Sequence, residues 1–422
     1  MAKTTNFIQR TRKLTLSAFM KLLFEQTKGL SQPSLTTLCT HLSKQQIYMT
    51  KEGLNQRFNE KTVCFLRTIF QSLFEQQSTL SLAKMPIKTH YPLTRIRILD
   101  GTSIKLPATC FSTYPSTVGA GVKFQLEFDY LTGSFSYIEL QAGKAGDCPS
   151  GMKRLETVEK GDLLLQDLGY FQYKLFQKID EKEAFYISRA RVDTTYFVDH
   201  PHPPRHPDGR IRKMYAYERL DLENEWPTLK RGEMREYPRV YLGKEEKLPT
   251  RLILYRFTKK EQQRQEYRIK RRAQTKPGQI KQKSKALSGI STLITNLPQE
   301  ITAEEVIQLY RYRWQIELLF KTWKSDFKAA YFRKMKQARW ECHLYAELII
   351  LLISTLFSYQ FRNYFWQEKQ IPLSERLTMR AIQPKIGVLW QARDQPSWQS
   401  TLQEIECILF AIGRKRTTHK PY

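Results

Sequence analysis

The sequence predicts an α/β protein flanked by helices, and three observations carry that prediction. The segment Arg95-Ile-Arg-Ile-Leu-Asp100-Gly-Thr102 alternates and is rich in β-branched residues, then meets an Asp-Gly pair. The segment Gly161-Asp-Leu-Leu-Leu-Gln-Asp167-Leu-Gly169-Tyr170 is a short apolar run that ends at an acid and a glycine. A continuous run of that length reads as a strand buried on both faces. Farther on, Tyr310, Arg313, Glu317 and Lys324 recur at helical spacing inside an apolar segment.

In chain order, the first 90 residues read as helical. Leu14–Phe24 is amphipathic, Leu35–Leu42 is a second apolar stripe, and Thr50–Phe58 opens on a capping threonine. Two short helices before a polar one resemble a helix-turn-helix reader, with Asn55, Gln56 and Arg57 suited to base edges. Such residues also sit on any exposed helix face. The first aspartate then stands on or at the end of its strand. Residues 122–130 and 134–141 flank a Thr-Gly-Ser turn and predict a hairpin. Asp167 closes the apolar strand, where ligands collect in open α/β sheets. Taken alone, either aspartate reads as an ordinary turn residue. Strand-like runs follow at Ala184–Arg189, Val240–Leu242 and Arg251–Phe257, with Pro and Gly between them. Residues 259–285 hold 11 Lys/Arg against 2 Glu, including Lys270, Arg271 and Arg272. They read equally as a phosphate-tracking helix and loop or as a solvated basic loop.

At about 100° per residue, Tyr310, Arg313, Glu317 and Lys324 fall within an arc about 60° wide on one helix. One edge would carry a phenol, a guanidinium, a carboxylate and an ammonium. Such a set holds a cation at the carboxylate while its neighbours grip phosphate oxygens. The plain alternative is a solvated face with one Arg/Glu pair. Against it stand Trp314, Ile316, Leu318, Leu319, Phe320, Trp323 and Phe327, which surround the arc and predict a largely buried helix. A metal site needs further carboxylates, and Asp100 and Asp167 are the suitable ones.

These blocks resemble the DDE transposases of bacterial insertion sequences, in the IS-four branch named for its Tyr-x2-Arg-x3-Glu-x6-Lys signature. The matching residues are Tyr310, Arg313, Glu317 and Lys324; Leu99-Asp100-Gly101-Thr102 matches the first aspartate block and Asp167-Leu168-Gly169-Tyr170 the second. Thr295-Asn296-Leu297 leads into the signature as in the family, and the likeness spans roughly residues 10–360. The resemblance implies a ribonuclease-H-like core, a mixed sheet flanked by helices, interrupted by a β-rich insertion. It implies a helical DNA-binding domain over 1–90, core over 91–190 and 296–345, insertion over 191–295, and a helical C-terminal region over 346–422 with a dimer role. Asp100, Asp167 and Glu317 would hold two Mg²⁺ ions, with Mn²⁺ as a substitute. Tyr310, Arg313 and Lys324 would hold the end phosphates and stabilise a hairpin intermediate. The family's hairpin step also uses an aromatic from the insertion. The chain departs there, since Leu287–Ile294 has no aromatic and Trp226 is the one Trp between Asp167 and Tyr310. The implied reaction is 3′-end cleavage followed by strand transfer into target DNA, by a homodimer in a synaptic complex. A metal-dependent nuclease without strand transfer is the alternative. A non-catalytic DNA-binding descendant would normally lack one of the three acids.

Composition agrees. A formal charge of +28 calls for a polyanionic partner, and DNA or RNA fits best; the resemblance implies double-stranded DNA. No stacking platform or glycine clamp points to RNA, and no phosphate-cradling glycine loop points to ATP. The 422 residues suggest several domains at roughly 150 residues each. Six scattered cysteines suit a reducing cytoplasm and the nucleoid rather than a disulfide framework or zinc knuckle. His200, His202 and His206 lie among prolines, which predicts an extended loop more than a zinc site. Leu344–Phe357 is very apolar but interrupted by Glu347, so a buried or dimer helix is expected rather than a membrane span. Met1–Lys13 is polar and basic, unlike an export signal.

Overall fold

The computed structural model describes residues 14–24, 33–79, 92–191, 193–275, 289–326, 335–392 and 396–415, with 2, 7 and 84 besides. The α/β expectation holds: a mixed sheet with many helices. The chain divides into two compact units, one of residues 1–88, 100–145 and 314–422, the other of residues 89–99 and 146–313.

The second unit is built on parallel strands. Strand β1 (Arg95–Lys105) contributes its first half, pairing Arg95–Ile98 with Asp162–Leu165 of β4 (Asp162–Gln166). In turn β4 pairs in parallel with β5 (Phe185–Arg189). Every residue of β4 is buried, as its apolar run requires. The starts of β1 and β4 are tied by charge. Asp162 accepts from Arg95 at 2.7 and 2.6 Å and from Arg97 at 3.1 Å, and both Asp162 and Arg97 are fully buried. An acid this deep costs desolvation that its two guanidinium partners offset. Beyond β5 the sheet turns antiparallel, through β10 (Ile290–Thr295), β9 (Leu248–Arg256), β8 (Met234–Leu242), β6 (Tyr196–Asp199) and β7 (Tyr217–Leu220). Short helices α6 (Tyr173–Glu181) and α7 (Leu222–Glu225) join strands, and α8 (Lys259–Thr275) follows β9.

The first unit takes the second half of β1 and the predicted hairpin, β2 (Gly121–Asp129) and β3 (Phe135–Ala142). Its turn is locked by Asp129, which accepts from the Leu131 amide at 3.1 Å and the Thr132 hydroxyl at 2.8 Å. Gly133 there has φ +76°, and a Cβ would strike the Tyr359 ring, so only glycine fits. The N-terminal helices α1 (Leu16–Phe24), α2 (Leu35–Ser43), α3 (Lys51–Asn55) and α4 (Glu60–Thr79) pack with C-terminal ones. Ser34 and Thr50 cap α2 and α3 with their hydroxyls. At the centre runs the helix Gln337–Lys369, 33 residues long. It is long and apolar enough to cross a membrane, but 83% of its apolar window is buried inside the protein.

Two expectations are corrected. Strand β1 does not break at Asp100-Gly101 but runs on to Lys105, and the Lys123 and Gln125 side chains lie close over Gly101. The polar helix expected through Phe58 ends at Asn55; Gln56 is its C-cap and Arg57 lies in the turn before α4.

Candidate active site

Each unit brings part of the predicted constellation together. In the first, Asp100 lies half-buried in mid-β1, its Oδ1 accepting from the Gly101 amide at 2.7 Å. Helix α10 (Trp314–Asp326) carries Glu317 in its first turn and Lys324 in its last, where the helix dipole favours each charge. The Lys324 ammonium donates to the Ser103 carbonyl of β1 at 2.8 Å. Burial pulls its pKa down from the ordinary lysine value, and the Asp100 carboxylate opposes that pull. Asp100 and Lys324 therefore share one electrostatic environment. Glu317 is half-buried on the same helix.

In the second unit, Asp167 follows the last residue of β4 and opens a tight turn, its carbonyl accepting from the Tyr170 amide at 3.1 Å. Gly169 of that turn lies against Asp147, whose carboxylate oxygen would be 3.0 Å from an added Cβ, so a larger residue there would push the Asp147 side chain aside. Helix α9 (Ala303–Arg311), started by a capping box at Thr302 and Glu305, carries Tyr310. The Tyr310 phenol donates to the Gln166 carbonyl at 3.2 Å, one residue before Asp167. Burial pushes this phenol well up, while Arg313 and Arg189 pull it down and Asp167 adds a further push. Arg313 lies 6.0 Å from the Tyr310 ring centroid.

The single-helix arc is corrected. The helix pauses at Tyr312–Arg313, where amides bond three residues back (Tyr312 to Leu309, Arg313 to Tyr310). Tyr310 therefore sits on α9, Arg313 in the turn, and Glu317 and Lys324 on α10. The helix is also less buried than expected: Trp314 is 45% exposed and Leu318 36%. Phe327 lies outside the described residues. Arg189, at the end of β5, was not singled out from sequence, although its place at the tip of the third parallel strand is the signal that finds it. Among the described residues, no three His, Cys, Asp or Glu side chains are grouped closely enough to hold a metal ion.

The remaining candidates stand as follows. Asn55 is half-buried at the end of α3, while Gln56 and Arg57 are exposed. The backbone there is fixed by Asn59, which donates to the Gln56 carbonyl at 2.9 Å, and by the Thr62 hydroxyl, which donates to the Arg57 carbonyl at 2.5 Å. Lys270 and Arg271 are exposed on α8, and Arg272 follows them on the same helix. Successive helical residues point about 100° apart, so Lys270 and Arg271 diverge. The basic residues Lys281, Lys283 and Lys285 lie outside the described residues. His200 is half-buried, and His202 and His206 are exposed. Trp226 packs: Arg256 lies 5.3 Å from its ring centroid, and a Cβ on Gly289 would come within 3.2 Å of it.

Comparison with known proteins adds the following. The family described as "Transposase DDE domain" matches residues 91–353. The "Transposase for insertion sequence element IS231B" of Bacillus thuringiensis subsp. berliner is 35% identical, the match covering 98% of this chain and 88% of that protein. The corresponding IS231E protein of B. thuringiensis subsp. finitimus is 34% identical over 98% and 86%. The "Transposase for insertion sequence element IS1151" of Clostridium perfringens is 30% identical over 89% and 80%. A solved structure, "Mos1 transposase paired-end complex with left transposon end", aligns over 41% of this chain and 58% of that one at 12% identity and a TM-score of 0.16, a likeness that carries no weight for the fold.

Proposed function

This chain belongs to the DDE transposases of insertion sequences, and from that membership we propose that Asp100, Asp167 and Glu317 are its catalytic and metal-binding triad. It is a DNA transposase, and its family implies dependence on a divalent cation. The donor set suits such an ion. All three groups are carboxylates, hard oxygen ligands borne on a strand, a strand end and a helix, and each is half-buried. Two Mg²⁺ ions, replaceable by Mn²⁺, would supply Lewis-acid stabilisation of the attacking and leaving oxygens. The observation that carries this reading is that each unit pairs a signature residue with a triad aspartate. The Lys324 ammonium donates to the Ser103 carbonyl, three residues past Asp100 on β1, and the Tyr310 phenol donates to the Gln166 carbonyl beside Asp167.

The side-chain chemistry follows. Water attacks the phosphorus at the element's end and the 3′-oxygen leaves; the freed 3′-OH then attacks a phosphodiester of target DNA, breaking its P–O3′ bond and releasing a target 3′-OH. Lys324 and Arg313 bring positive charge to the phosphate oxygens, where charge builds in an in-line displacement. Tyr310 acts as a hydrogen-bond donor, its phenol kept protonated by burial. Asn55, Gln56 and Arg57 read base edges at the element ends, and the helix bearing Lys270, Arg271 and Arg272 contacts phosphates. Synapsis of two ends calls for a homodimer, working on nucleoid DNA in the cytoplasm. The ribonuclease-H-like reading of the core is supported by the parallel β1, β4 and β5 and the β2–β3 hairpin.

The test uses linear DNA carrying the flanks of the reading frame, with Mg²⁺ or EDTA and mapping of broken 3′ ends. Metal-dependent cuts at two inverted sequences are expected, together with joined products. In Asp100→Asn and Glu317→Gln the cuts should vanish while end binding survives. Cleavage retained in either variant removes that residue from the triad, and cuts without joined products favour a nuclease.

A further inference from the structure

The short helix α5 (Cys148–Lys153) lies against the turn that follows β4 and meets it at three places. The Cys148 thiol donates to the Gly169 carbonyl at 3.2 Å. The Asp147 carboxylate covers the Cα of Gly169, which has no positive φ, so its missing side chain serves close approach rather than backbone freedom. Gly151 faces the Tyr170 ring, where an added Cβ would lie 3.3 Å from Cδ1. Tyr170 is 1% exposed and roots the turn in the interior. Two amides close the turn itself, Tyr170 to the Asp167 carbonyl at 3.1 Å and Phe171 to the Leu168 carbonyl at 3.3 Å. Asp167 does not cap this turn with its own carboxylate. The shape of the turn is therefore set by its neighbours, and the carboxylate is left for other work.

We propose that Cys148 is a positioning residue for Asp167: its thiol holds the Gly169 carbonyl, and through the closed turn it fixes where the Asp167 carboxylate is presented. The inference rests on Asp167 being catalytic and goes beyond it, since Cys148 stands outside the three carboxylates and acts through the backbone. A carboxylate that serves as a metal ligand has to keep its place to within about 0.5 Å. Gly169 is two residues from Asp167 in a turn closed by a short backbone bond, so displacement of its carbonyl is passed on. A thiol is a weak donor, so its loss should show in the set of the turn rather than in folding. The plain alternative is that Cys148 fills space as a small apolar side chain. Serine separates the two, because it keeps a donor and gives up size, whereas alanine gives up both.

The experiment uses the full-length protein and two readouts, hydrogen exchange in EDTA and Mg²⁺-dependent cutting of a duplex carrying the flank of the reading frame. In Cys148→Ala the Tyr170 and Phe171 amides should exchange about fivefold faster. The same variant should need about tenfold more Mg²⁺ for half-maximal cutting, at the low end for removing an outer support of a metal ligand. Cys148→Ser should restore most of both, while exchange in the β2 strand and the urea midpoint stay unchanged in either variant. Unchanged turn exchange in Cys148→Ala overturns the thiol contact, and faster exchange throughout the chain overturns its local action. Serine behaving as alanine overturns the role of the donor. Faster turn exchange with an unaltered Mg²⁺ requirement overturns the positioning of Asp167. If the unaltered protein makes no Mg²⁺-dependent cuts, the transposase reading fails, and exchange alone still decides whether the thiol holds the turn.

Discussion

The basic helix α8 and the central helix Gln337–Lys369 are both long and both charged, and they treat charge in opposite ways. On α8 Lys259, Lys260, Arg264, Arg268, Lys270 and Arg271 are exposed. On the central helix Glu341, His343, Glu347 and Arg362 are buried, the last fully. Arg362 lies 4.1 Å and 4.8 Å from the Tyr359 and Tyr130 ring centroids and donates to the Tyr130 and Leu131 carbonyls at 2.9 and 3.3 Å. It thereby holds the turn of the β2–β3 hairpin from behind. His343 accepts from Arg339 at 3.3 Å and packs on Phe58 at 5.1 Å between ring centroids. A buried charge here fastens elements together, whereas the α8 cations stand on an exposed surface.

If that contrast is right, the two helices should respond to substitution on different scales. Arg362→Ala should lower unfolding free energy by about 3–5 kcal/mol in urea titrations, since it strips a buried cation from its carbonyl and ring partners and from Glu375. A loss below about 1 kcal/mol would erase the distinction. His343 gives a second measure, through pH. Burial, with Arg339 adding to it, pulls its pKa down to about 3. A histidine depressed below its unfolded value favours the neutral form, so its contribution is complete above the unfolded value and fades as pH falls from about 6.5 toward 3. By pH 5 the protein should have lost about 2 kcal/mol from this group, a loss missing from the pH profile of His343→Gln. The smallest effect belongs to the exposed helix: Arg264→Gln should move stability by less than about 0.5 kcal/mol. A larger shift would mean that the face packs against something within the chain.

Legibility from sequence followed the same divide between local and distant causes. The buried strand β4, the hairpin and the caps at Ser34, Thr50 and Thr302 were readable or are the work of neighbours within a few residues. Both aspartate blocks carry a glycine that distant side chains approach closely in the fold, Gly101 by Lys123 and Gln125 and Gly169 by Asp147. The pause at Tyr312–Arg313 was hidden, because a helical projection assumes unbroken winding and nothing in Tyr-Arg-Tyr-Arg-Trp announces a stop. Arg189 was hidden for a different reason. Its effect on Tyr310 joins residues far apart in the chain, through pairing of β5 with β4 and not through any local pattern. The same holds for Arg95, Arg97 and Asp162, whose attraction appears only after two distant strands are set side by side.

The buried Asp162 has a genetic corollary. A screen that scores only loss of transposition would rank Asp162 beside Asp167, five positions apart on one strand and its tip, as equally intolerant acids. One would fail because the protein no longer accumulates, the other because an intact protein no longer cuts. Complementation separates them: a folded Asp167 variant can still occupy element ends and poison a wild-type copy, and an Asp162 variant that never folds is recessive.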